Sequence, residues 1–225
     1  MTERMPANQQ LWRMSLRAAA DMPIQVVVLL ALLLTGCPAY QLSKLPASEP
    51  LAQPRELDQA GSYRHVRSNR EFPASAAGFE RIRLIQFDTA GLDVSASYQT
   101  RSPSCPVLAT LYVYPAPRMH FVGTPPHTVL ALERSWLASE YARSRTEIFA
   151  RYPEAQMRVE DPIVDRPALG VRGVFEHDSS VSELEVSIDR PWFIKHRHTF
   201  PISCARKARK LLDVLHMALR QETEA

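Results

Sequence analysis

Val107-Leu108-Ala109-Thr110-Leu111-Tyr112-Val113-Tyr114 is the stretch on which the fold turns. In an extended chain Val107, Ala109, Leu111 and Val113 share one face, and Leu108, Thr110, Tyr112 and Tyr114 share the other. Both faces are apolar or aromatic, the pattern of a strand at the centre of a sheet. Upstream, residues 92–98 alternate: Leu92, Val94, Ala96 and Tyr98 oppose Asp93, Ser95 and Ser97. Residues 81–87 form another strand pattern, and Asp88-Thr89-Ala90-Gly91 supplies the turn between them. Downstream, Pro115 to Pro126 reads as a loop. A helix then opens at His127 or Thr128 and runs to Arg151, with Val129, Leu132, Trp136, Tyr141 and Ile148 as its apolar stripe. Tyr152-Pro153 ends it. Residues 155–160, 169–177, 181–189 and 192–200 are further strands, and a last helix spans 203–221 with Ala205, Ala208, Leu212, Leu215 and Leu219 inward. Short connections favour antiparallel pairing. The expected fold is α+β: a mostly antiparallel sheet of six to seven strands with two packing helices, a sandwich.

The whole chain has 225 residues, and 45% of them are hydrophobic, enough for a core. A net charge of +3 is too mild to point to nucleic acid as a partner. Gly is scarce (7) and Pro frequent (18), which suits Pro-punctuated loops and a tail.

Residues 24–34 are an almost unbroken apolar run, preceded by Arg13 and Arg17 and closed by Leu34-Thr35-Gly36-Cys37. The run is shorter than the roughly 20 residues needed to cross a bilayer. Its flanks are those of a secretory signal. The tetrad resembles the lipobox of bacterial lipoproteins, in which the cysteine receives a diacylglycerol, the peptide is cut before it and the new amino terminus is acylated. The resemblance implies that residues 1–36 are a lipoprotein signal peptide, that Leu34, Thr35 and Gly36 are recognition residues, and that Cys37 joins the chain to a membrane. A start at Met14 gives a signal of more ordinary length, so residues 1–13 are expected to precede the true start. Pro38, the residue after Cys37, points to the outer membrane rather than the inner. The expected location is the cell envelope, with the domain in the periplasm.

Residues 37–71 read as a lipidated tether, broken by Pro38, Pro46, Pro50 and Pro54, and residues 72–221 as one domain. With Cys37 assigned to lipid, Cys105 and Cys204 remain. An even pair in an exported protein is the count for one disulfide; two buried thiols is the alternative.

Several residues are candidates for chemistry. His196 and His198 sit at i and i+2, so on a strand both imidazoles reach one metal ion, with His177 or His216 as a third ligand. The plainer reading is two histidines on a solvated face. Lys195 and Arg197 suggest a polar groove for an anion, set against ordinary cross-strand ion pairs. Tyr112 and Tyr114 line either a pocket or the core. The chain has no Gly-x-Ser-x-Gly elbow, phosphate-binding Gly loop or His-Glu-x-x-His motif.

Gly78-Phe79-Glu80-Arg81, Ala109 to Pro115 and Trp192-Phe193-Ile194-Lys195 resemble a group of uncharacterised bacterial exported proteins. The element order is similar to the MOG1/PsbP-like sandwich, an assembly or binding module, which implies no catalytic residues and no cofactor. The first expectation is a non-enzymatic module that binds an envelope protein. The second is a small-ligand or metal binder at His196 and His198, and the third an enzyme without a recognisable motif.

Overall fold

The computed structural model describes residues 48–117, 123–163 and 169–224. Leu34, Thr35, Gly36 and Cys37 lie outside the described residues, as do the signal and the first part of the tether.

The strands are β1 (Pro50–Glu56), β2 (Tyr63–Arg64), β3 (Glu71–Phe72), β4 (Ser75–Ala76), β5 (Phe79–Asp88), β6 (Val94–Thr100), β7 (Leu108–Pro115), β8 (Gln156–Ile163), β9 (Leu169–His177), β10 (Ser180–Asp189) and β11 (Trp192–Pro201). Helix α1 (Pro126–Arg151) joins β7 to β8, and α2 (Ala205–Glu224) follows β11 after a short 3-10 turn, Ile202–Cys204. The main sheet is antiparallel in the order β1-β5-β6-β7-β11-β10-β9-β8, with β4 also on β5. The fold is therefore α+β, with two helices on a mostly antiparallel sheet. The sheet has nine strands among the described residues, more than the six to seven expected.

One of the two extra strands, β1, comes from a stretch read as tether. β1 carries Pro50 and Pro54 and still pairs with β5, because it is an edge strand. A proline on the open edge withholds an N–H that has no neighbour to meet. The register shifts between Pro50 and Arg55. Among the described residues the sheet thus begins at β1 rather than near residue 72. His65, in the same stretch, is buried edge-on to Trp192 with ring centroids 4.9 Å apart.

Strand parity decides which helix each residue meets. On β11, Phe193, Lys195 and Arg197 pair with Ile188, Val186 and Leu184 of β10. This face receives α1: Leu137, Tyr141 and Ile148 join Phe175, Leu184, Val186, Ile188 and Phe193 in one apolar cluster. The alternate residues Ile194, His196, His198 and Phe200 point to the other face, where α2 buries Ala208, Leu212, Leu215 and Leu219. One helix covers each face of the sheet.

The inward stripe of α1 differs from the expected one. Glu133, Leu137, Glu140 and Ser144 are buried, whereas Leu132 and Trp136 are only half-buried. The carboxylates tolerate this because each has a cation: Arg190 donates to Glu133, and Arg143 to Glu140 at 2.7 Å. Pro126 at the first helical position suits a helix start, where its missing N–H is not needed.

The Cys105 and Cys204 sulfurs lie at bonding distance, 2.17 Å. Cys204 immediately precedes α2, so the link holds the start of that helix beside the loop leading into β7. Among the described residues no helix is long and apolar enough to cross a membrane.

Candidate metal centre

His196 and His198 reach the α2 face of the sheet because they are two residues apart on β11. His216 comes down onto them from α2, one residue after the buried Leu215. The three rings offer one nitrogen each, and these atoms lie within 4.8 Å of one another. His216 Nε2 is 3.1 Å from His198 Nε2. Two imidazole nitrogens on one tetrahedral ion, at metal–nitrogen distances of about 2.0–2.1 Å, stand roughly 3.3 Å apart. The ring centroids are 4.4 Å apart for His196 and His216, 5.0 Å for His198 and His216, and 6.0 Å for His196 and His198.

Burial keeps these rings neutral, the state that binds metal. Desolvation, then the neighbouring histidines, hold His196 well below the ordinary range. Desolvation and His216 do the same for His198. For His216, desolvation followed by Arg220 lowers the value to about 4. A cavity of about 10 Å³ adjoins the rings, walled by Tyr98, Ala109, Leu111, Leu215 and Leu219.

His177, the other candidate third ligand, is elsewhere. It stacks on Tyr152 at 3.8 Å and meets Ser182 Oγ at 3.0 Å. It belongs to a second group, with the exposed Glu154 and Asp178, whose ligand atoms also lie within 4.8 Å of one another.

Lys195, Arg197, Tyr112 and Tyr114 occupy the opposite face. The Lys195 ammonium donates to Ser144 Oγ at 3.3 Å and lies 3.9 Å from carboxylate oxygens of Glu140 and Glu147. It also sits 4.6 Å from the Tyr112 ring centroid and 5.7 Å from that of Tyr114. The Tyr114 hydroxyl donates to Glu140 Oε1 at 2.5 Å. Burial lowers the Lys195 pKa, while burial and then Glu140 raise that of Tyr114. Lys195 therefore stitches α1 to the sheet from within. Arg197 faces the same side, beside Thr110 and Leu184 in register. The acids on the inward stripe of α1 are the sequence signal for this network; apolar periodicity alone passes over them.

The histidines and the Lys195 network are thus separated by the sheet itself, although the residues alternate along one strand. No protein-family model matches the chain, and no curated protein matches it.

Proposed function

We propose that this chain is a lipid-anchored protein of the bacterial cell envelope whose domain binds a transition-metal ion through His196, His198 and His216. The observation that carries the reading is the convergence of three neutral imidazoles from β11 and α2 on one point. Such a donor set suits zinc, copper, nickel or iron and is a poor match for magnesium or calcium. The anchor is supported by the lipobox-like Leu34-Thr35-Gly36-Cys37. Two or more acyl chains on Cys37 hold a protein stably at a membrane surface. Pro38 favours the outer membrane, with the domain in the periplasm.

A second reading is a module that docks on another envelope protein. The outer side of α2 favours it: Val214 and Met217 are 48% and 56% exposed there.

Metal content of the full-length protein, purified from membranes, tests the first reading. We expect close to one transition-metal ion per chain, lost in His198→Ala. Protein that holds none as isolated, and takes up none on titration, overturns it. Labelled palmitate incorporated by the parent and not by Cys37→Ser tests the anchor separately.

A further inference from the structure

We propose that the ion this centre selects is monovalent copper, Cu(I), held by three imidazoles. The inference rests on the metal-binding reading above and names its ligand.

Charge is the first argument. His196, His198 and His216 are all neutral donors, and no carboxylate or thiolate joins their set among the described residues. The nearest register partner of His198 is Glu183. Its two oxygens are already taken by Arg172 at 3.0 Å and Arg209 at 2.7 Å. Arg220 and Arg172 oppose positive charge at His216, and Arg70 does so at His196; Asp213 and Glu183 act the other way. Glu185 pairs in register with His196 and lies outside the triad. A bound cation would therefore have no anionic ligand among these donors to offset its charge. The cost of burying an ion rises with the square of its charge, so a dication costs roughly four times a monocation there.

Coordination number is the second. Zinc takes four ligands, and where the protein supplies only three a water fills the fourth place. Divalent copper favours a tetragonal arrangement. A cuprous ion, a filled-shell monocation, is satisfied by three ligands in a plane. The cavity that adjoins the rings is about 10 Å³, close to the least volume that admits one water. Its walls are largely apolar; of the two hydroxyl-bearing residues among them, Tyr98 donates to the Pro73 carbonyl at 3.2 Å and Thr110 shares a hydrogen bond with Ser97 Oγ at 3.0 Å. Three nitrogens, with no carboxylate, thiolate or fourth imidazole in their group among the described residues, suit a trigonal ion.

The experiment is a competition titration of full-length, detergent-solubilised protein. Cu(I) is supplied anaerobically against a chromogenic cuprous chelator, with parallel titrations of Zn(II) and Cu(II). We expect one Cu(I) per chain, bound at least about 100-fold more tightly than Zn(II), and X-ray absorption showing three nitrogen neighbours and no fourth. His216→Ala should weaken Cu(I) binding by about 100-fold or more, since losing even a residue that only orients a ligand costs 10- to 100-fold. His216→Gln serves as a second variant, and circular dichroism checks that both fold. Zn(II) binding tighter than Cu(I), or a four-coordinate copper site, overturns this inference and leaves the metal-binding reading standing. Failure to bind any of the three ions overturns both. Unchanged Cu(I) affinity in both folded variants places the copper elsewhere and overturns the assignment.

Discussion

His216 Nε2 on α2 lies 3.1 Å from His198 Nε2 on β11, and this contact ties the C-terminal helix to the middle of the sheet. In metal-free protein one ring donates and the other accepts. Removing one partner leaves a buried nitrogen without its bond, which costs about 1–3 kcal/mol, whereas replacing both by apolar groups is close to neutral. His216→Ala should therefore lower the urea stability of EDTA-treated protein by about that amount, and His198→Leu/His216→Leu by clearly less. Equal losses in the two variants would show that the contact adds nothing.

Gly173 on β9 lies directly under Tyr141 of α1. A Cβ at this position would stand 2.1 Å from the tyrosine oxygen and 3.0 Å from the Phe175 ring. Gly173→Ala should destabilise the domain by about 1–3 kcal/mol through overpacking. Adding Tyr141→Phe to that variant should return part of the loss. Thermal melts of the two single variants and the double variant measure the coupling, and strict additivity would rule it out.

Asp93 predicts the pH dependence. Burial, reinforced by the Asp88 carboxylate, raises its pKa from 3.8 to about 6. Between those values the folded protein holds a proton that the unfolded chain has released. Stability from this group is therefore lost as pH rises through the window, and the full cost is present above about 6. Asp93→Asn should exceed the parent by roughly 1–3 kcal/mol above that pH and match it below about 4. Urea midpoints across the range check the sign; a constant difference would assign the effect to something other than ionisation.

Cys105 and Cys204 are 99 residues apart in sequence. A link closing a loop of that size restricts the unfolded chain by about 4–5 kcal/mol in the chain-entropy model. Cys105→Ala/Cys204→Ala should lose most of that in urea unfolding, and a reductant should lower the parent and leave the variant unchanged. A parent insensitive to complete reduction would contradict this.

Much of the fold was legible in local pattern. The strands 107–114, 169–177, 181–189 and 192–200 alternate because a pleated chain sends successive side chains to opposite faces. Between two of these strands Asp178 adopts φ +49, which short polar side chains tolerate. β1 was not legible, because Pro50 and Pro54 are punctuation everywhere except on the open edge of a sheet, and position in the sheet is not a local property. On α1 the expected Val129, Tyr141 and Ile148 are buried, while Leu132 and Trp136 give way to Glu133, Leu137, Glu140 and Ser144. Glu133 and Glu140 look like solvent residues until Arg190 and Lys195 arrive from the turn before β11 and from β11 itself, joining Arg143 of the same helix.

The candidate centre divides in the same way. That His196 and His198 share a face followed from the sequence alone, since residues two apart on a strand always do. So did their separation from Lys195 and Arg197, by parity. Which histidine completes the triad was decided only by tertiary structure. His177 and His216 were equal candidates by composition. α2 packs on the face that His196 and His198 occupy, and His177 stacks on Tyr152 instead. Parity is a property of one strand; the face a helix covers depends on burial summed over the whole sheet.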